Sequence, residues 1–314
     1  MMLDGSGPGW RFDRNCAILV IGWRRPKETK KVIEAIRKAK PKRVYFACDG
    51  ADGSKAEETR KVQQTRELVK EIDWDCSLET YFSESNRGCR MGVNSAIDWF
   101  FENEDYGIIL EDDCIPEDEF FGFCSQLLRK YRVDKRVRSI SGTRHAPLGE
   151  CADEAYYFSR YPHCWGWATW RDRWQSHDKE MSGWSSNETK RMVKETFIRH
   201  NEWRYWKKIW DGVYFRSEPD TWDYQWVLSC RMVNGLSIIP RVSLVSNIGF
   251  SEDATHTKCL EHMAPATGRL GSIKHPLSVV ADEIADQSLF IEHYNVSRAQ
   301  WLLEGLRRMK RRLG

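Results

Sequence analysis

Nothing in these 314 residues approaches the run of about 20 apolar residues that a membrane-crossing helix requires. The stretch from Met1 to Trp10 is glycine-rich and lacks the apolar core of a signal peptide. Ten cysteines are scattered singly, without a Cys-x-x-Cys pair and without a histidine at zinc-ligand spacing. That pattern implies buried thiols in a reducing compartment. The sequons at Asn187 and Asn295 then carry little weight, and a cytoplasmic protein is expected. No Gly-x-Gly-x-x-Gly follows the first apolar run, and no Gly-Lys-Ser/Thr occurs at a phosphate loop, which argues against dinucleotide oxidoreductases and P-loop enzymes. No internal repeat or low-complexity linker divides the chain. One compact domain with two unequal halves is the economical reading.

What is present is ordinary in bulk and unusual in detail. The chain is 41% hydrophobic and 30% charged, which suits a globular protein with a sizeable core. Its net charge of +3 is a local matter, because Arg307, Arg308, Lys310, Arg311 and Arg312 crowd the last turns. Fifteen tryptophans gather mostly between Trp165 and Trp226. They suit a ligand groove with aromatic walls, or simply a bulky core.

Apolar periodicity organises the first half. Residues 16–22 form a nearly continuous apolar run, as in a central strand buried on both faces. Pro26 then opens a helix with Val32, Ile33, Ile36 and Ala39 on one face. Arg43 to Cys48 is a second strand, and Ser54 with Glu57 reads as a capping box before a further helix. Leu78 to Phe82 and Tyr106 to Leu110 are strands flanking a helix that carries Val93, Ala96, Ile97 and Phe100. This βαβαβαβ series predicts an α/β fold with a Rossmann-like, mostly parallel sheet and flanking helices. The second half is less regular. Val137 to Ile140, Tyr156 to Ser159 and Leu236 to Ile239 read as strands, Trp165 to Trp174 as an aromatic loop entering a helix, and Asp220 as the cap of a helix bearing Trp222 and Trp226.

Three acids, Glu111, Asp112 and Asp113, follow the fourth strand without a break. In open α/β sheets ligands bind beyond the carboxyl ends of the strands. Adjacent carboxylates repel one another unless a cation or hydrogen-bond donors absorb the charge. A hard ion such as Mn²⁺ or Mg²⁺, its shell completed by substrate phosphates, meets that need; a helix cap facing water is the plainer explanation. Arg25 after the first strand and Asp49 after the second fall at the same sheet edge, so a nucleotide diphosphate suits the group.

These residues carry a resemblance to a known family. The chain, over residues 16–260, resembles GT-A-fold glycosyltransferases, most closely the N-acetylglucosaminyltransferases that initiate hybrid and complex N-glycans and their bacterial family 2-like relatives. Ile18-Leu-Val-Ile-Gly-Trp-Arg-Arg25 is similar to that family's first strand with its nucleotide-contacting arginine. Phe46-Ala-Cys-Asp49-Gly50 resembles the strand whose aspartate holds uracil, and Leu110-Glu-Asp-Asp113 with Pro116 and Phe120-Phe121 matches the metal block. The resemblance implies a metal on Asp113, Glu111 and Asp112 toward ribose and donor sugar, and Trp167 of the Gly-Trp loop beneath the donor. It also implies a catalytic base at Asp223 and a late histidine, His256, beside the metal. Trp222-Asp-Tyr-Gln-Trp226 holds one residue more than the family's Trp-Asp-Asp-Trp. Asp223 also has a purely structural reading: with Asp220 as the N-cap it occupies the third helical position, where an acid meets free amides and the positive dipole end.

The expected organisation is a flexible 1–14, a single domain over 15–275 and a helical basic tail over 276–314. Within the domain, 15–142 would hold the nucleotide sugar and 143–275 the acceptor. The expected activity is metal-dependent inverting transfer of a hexosyl or N-acetylhexosaminyl group from a nucleotide-diphosphate sugar, UDP-linked by the resemblance, to a glycan, lipid-linked or protein acceptor. The alternatives are a sugar-nucleotide-forming nucleotidyltransferase and a non-catalytic carbohydrate- or membrane-binding module. Leu302, Leu306, Met309 and Leu313 with the basic cluster would make any peripheral membrane contact. One terminal cluster, not a groove-lining stripe, speaks against nucleic acid.

Overall fold

The apolar run near the amino terminus becomes β1 (Ala17–Gly22), whose consecutive side chains alternate between two cores. Ile18 and Val20 pack into one core and Ala17 and Leu19 into the other, all fully buried. Each such aliphatic side chain contributes roughly 1.5–3 kcal/mol on burial. The same alternation fixes β2 (Arg43–Cys48) and β4 (Tyr106–Glu111), which flank β1 in parallel, while β3 (Ser77–Phe82) adds to β2. Helices α1 (Pro26–Ala39), α2 (Ala56–Glu67) and α3 (Gly88–Asn103) make the crossovers. The structure, a computed structural model, describes residues 9–145, 154–249 and 266–294, and all statements below concern these.

Beyond β4 the chain forms β5 (Cys114–Pro116), α4 (Asp118–Lys130), β6 (Val137–Ser141), β7 (Tyr156–Ser159) and β8 (Trp167–Trp170). There follow α5 (Arg171–Gln175), α6 (Asn187–Glu195), α7 (His200–Arg216), α8 (Asp223–Met232), β9 (Leu236–Pro240), β10 (Val245–Asn247) and α9 (Glu283–Leu289). The main sheet has eight strands in the order β3-β2-β1-β4-β8-β6-β9-β7. It is parallel from β3 to β4, and β8 runs antiparallel to both neighbours. A short antiparallel pair, β10 with β5, stands beside the tip of β4. The fold is therefore α/β with a Rossmann-like parallel half and a mixed second half.

Several local expectations are corrected. Ser54 and Glu57 form no capping box, because Asp52 takes both the amide and the hydroxyl of Ser54 (3.1 and 2.8 Å) and Glu57 pairs with Arg60 (2.7 Å). Asp220 does not cap α8, whose N-cap is Trp222; it accepts from the Cys89 amide (3.1 Å) at the start of α3 instead. Residues 10–14 are docked: Trp10 is buried edge-on against Phe123 of α4, 5.2 Å between centroids. The aromatic stretch after Cys164 is a strand where a loop was expected, since Trp167 to Trp170 pair with β4, and Trp167 and Ala168 pair with β6 as well.

Candidate active site

The carboxyl ends of β1, β2 and β4 open into a cavity of about 840 Å³, within the range of small-molecule sites. Pro26 at the first position of α1 starts that helix immediately after Arg25, which turns Arg25 inward over the strand ends. Arg25 Nη1 donates to Asp113 Oδ2 at 2.5 Å and to Asp112 Oδ1 at 3.3 Å. Asp112 is buried and also accepts from the backbone N–H of Trp23 at 3.1 Å. Trp23 in turn donates its indole N–H to Gly50 O at 2.8 Å, clasping the β1 loop to the β2 loop.

The acidic triplet is short of positive charge. Among the described residues lining the cavity, Arg25 is the basic lysine or arginine side chain, and it faces Glu111, Asp112 and Asp113 together. Burial first, then the neighbouring Asp113, Asp112 and Asp223 charges, raise the pKa of Glu111. Burial and Asp113 raise that of Asp112 against the pull of Arg25. Excess buried negative charge of this kind suits a hard cation.

The β10–β5 pair supplies the other side of Asp113. Asn247 lies opposite Cys114 in that ladder, and its Nδ2 donates to Asp113 Oδ1 at 3.3 Å. Gly249 follows so closely that a Cβ there would stand 2.1 Å from Asp113 Oδ2. Neither residue was singled out from sequence as a site residue. Asn247-Ile-Gly-Phe250 does resemble the start of the family's closing segment that leads to His256, but that likeness assigned no role to either side chain.

Asp49 lines the cavity but is engaged in building it. Its Oδ1 accepts from the Gly50 amide (2.8 Å), and both oxygens accept from the Arg87 amide (3.1 and 3.0 Å). It thereby holds the turn that leads into α3 at Gly88, whose φ of +79° favours glycine. Burial raises the Asp49 pKa while those two amides lower it.

Asp223 is the first residue of α8 and lines the same cavity as the triplet, near enough that its charge acts on Glu111. The Thr221 hydroxyl donates to its carboxylate. Arg25, Asp49, Glu111, Asp112, Asp113 and Asp223 are thus brought together. Trp167 is not: it is a strand residue only 1% exposed, stacked on Trp222 at 5.5 Å within the second core. Trp165, two residues earlier, reaches the cavity in its place, because Gly166 between them has a φ of +64° and breaks the extended path that would put both rings on one side. His256 lies outside the described residues. His145, His163, Tyr224, His293 and Tyr294 also line the cavity. Their wide separation in the chain left no signal for that convergence.

The chain matches no protein-family model and no curated protein. Among solved structures it is similar to apo UDP-glucose pyrophosphorylase, at TM-score 0.36 and 10% identity, over 74% of this chain and 92% of that one. It is similar to HddC from Yersinia pseudotuberculosis, at TM-score 0.31 and 8% identity, over 50% and 77% of the two chains. A glycosyltransferase involved in glycosylation of the major capsid of PBCV-1 matches at TM-score 0.25 and 10% identity, over 59% and 77%. Similarities of this size do not bear on the chemistry, which rests on the site itself.

Proposed function

We propose that this protein is a metal-dependent inverting glycosyltransferase that moves a sugar from a nucleotide-diphosphate donor, best read as UDP-linked, to an acceptor hydroxyl. The observation that supports it most is the joint lining of one cavity by an undercompensated acidic triplet at a strand end and by Asp223 from a separate helix. Asp113 would hold Mn²⁺ or Mg²⁺, with His256 as a further ligand. A bound ion there supplies Lewis-acid neutralisation of charge on the departing diphosphate. Arg25 would pass from Asp113 to the diphosphate, and Glu111 and Asp112 would accept hydrogen bonds from ribose and sugar hydroxyls. Asp49, by fixing the turn before α3, shapes the recess for the base.

Asp223 would take the proton of the acceptor hydroxyl as its oxygen attacks the anomeric carbon opposite the leaving group. With attack and departure on opposite faces, one base suffices and no protein nucleophile is needed. Nucleotidyl transfer is less well supported. It calls for a phosphate-cradling loop after β1, and here the Trp23 amide is taken by Asp112 and α1 starts at once.

Incubating the protein with a panel of nucleotide sugars, with and without Mn²⁺, tests the reading. Metal-dependent release of nucleoside diphosphate is expected. Asp113→Ala should abolish the metal dependence. Asp223→Asn should keep donor binding and lower turnover by about 10²–10⁴-fold. Wild-type turnover in Asp223→Asn returns that residue to a helix-start role. Pyrophosphate release from sugar phosphate and UTP would point to the nucleotidyl reaction.

A further inference from the structure

The cavity has a second end that the donor chemistry leaves unused. There His145 touches three rings: His163 at 4.6 Å, Trp165 at 4.7 Å and His293 at 4.7 Å between centroids. His293 packs on Tyr294 at 4.9 Å, and all five side chains line the cavity. The sequence spans about 150 residues between the first and last of them, so the fold and not a local motif assembles the group. His145 Nε2 lies 3.3 Å from the Thr143 hydroxyl, whereas its Nδ1 is buried without a hydrogen-bond partner among the described residues. A buried ring nitrogen left unpaired is costly and is relieved by a ligand hydroxyl.

Charge and chemistry narrow the occupant. Burial keeps His145, His163 and His293 neutral, so each ring offers one donor and one acceptor. Among the described residues lining the cavity, the charged side chain that acts on this end is Asp223, through both Tyr224 and Tyr294. Arg25, the guanidinium among the described lining residues, is engaged with Asp112 and Asp113. A carboxylate, sulfate or phosphate would meet repulsion here. A ring of hydroxyls, each both donating and accepting, matches the imidazoles, and its apolar face matches Trp165 and Tyr294.

We propose that the His145–His163–Trp165–His293–Tyr294 end of the cavity is an acceptor subsite for an uncharged sugar ring, which presents its hydroxyl to Asp223. That the bound ring is an acceptor rests on the donor reading above; that it is a neutral sugar does not. The test is saturation-transfer NMR on the full chain with methyl α-mannoside, methyl β-galactoside and methyl N-acetyl-β-glucosaminide, each against methyl β-glucuronide. UDP with Mn²⁺ is titrated separately. At least one neutral glycoside should saturate, with the glucuronide bound weakly or not at all. His145→Phe and His163→Phe keep an aromatic ring and remove the ring nitrogens. Each should weaken glycoside binding about tenfold, with His145→Gln recovering part of the loss and circular dichroism confirming the fold. Undiminished binding in both Phe variants overturns the proposal, as does glucuronide binding equal to the neutral glycosides or no glycoside binding at all. Glycoside binding without UDP binding upholds the subsite and sinks the donor reading; UDP binding without glycoside binding does the reverse.

Discussion

Arg25 is the residue on which the electrostatics of the site turn. It is the counter-charge to Asp113 at 2.5 Å, and both side chains are 14% exposed. Removing one partner of such a pair leaves the other's charge uncompensated, which costs about 3–5 kcal/mol when the pair is buried. Arg25→Gln should therefore destabilise the protein by a few kcal/mol at neutral pH, as read by urea denaturation, and Mn²⁺ should restore part of the loss. A variant as stable as the parent and indifferent to Mn²⁺ would show that the triplet needs no cation. Gly249 offers a second test at this scale. A methyl group there would collide with Asp113 Oδ2 at 2.1 Å, and the Asn247 contact leaves little room to retreat. Gly249→Ala should weaken Mn²⁺ and UDP binding by about tenfold or more while the far-UV circular dichroism stays unchanged.

At the scale of elements, Asp220 joins parts that lie far apart in sequence. It leaves the α7–α8 connection, accepts from the Cys89 amide and sits against Gly88, so it serves the amino end of α3. Asp220→Ala should cost about 1 kcal/mol, the usual worth of an N-cap side chain. Hydrogen exchange should be faster at Cys89 and its neighbours, and Asp220→Asn should behave as the parent. Exchange unchanged in the alanine variant would remove Asp220 from that role. The strands β1, β2 and β4 were legible because each is a short, largely apolar run bounded by turn residues. β8 was not, because Trp167-Ala-Thr-Trp170 has no apolar-polar alternation and its tryptophans drew attention as ligand contacts. Both faces of β8 are buried, so alternation had nothing to mark. The same ambiguity hid that Trp167 is a core residue, while Arg25 after β1 and the acids at the tips of β2 and β4 could be placed because strand ends follow from the strands themselves.

The whole molecule carries an acid sensitivity. Burial lowers the pKa of His163 and His177 to about 3 and of His293 to about 4, against about 6.5 in the unfolded chain. Below pH 6.5 the unfolded state takes up protons that the fold refuses. This contribution to stability is whole above 6.5 and is lost as the pH falls toward 3. Glu111 and Asp112, with raised values, act in the opposite sense. The histidine term is best isolated by difference. His177 holds Ser229 through Nδ1 at 2.9 Å, away from the cavity lining. His177→Gln should flatten the fall in urea midpoint between pH 6.5 and 4, and parallel curves for variant and parent would refute the assignment. The cluster of rings around His145 was invisible in sequence because it depends on where α9 and its following turn come to rest, and no periodicity encodes that.

The placement of β8 between β4 and β6 has one more consequence. The expected division at residue 142 falls within a continuous hydrogen-bonded ladder, since β4 meets its antiparallel neighbour only from the far side of that cut. A fragment ending there would present the naked margin of β4 to solvent, a ready template for pairing with copies of itself. Expressed alone, such a piece should form aggregates, and supplying the remainder in trans should rescue it only if added before those aggregates set.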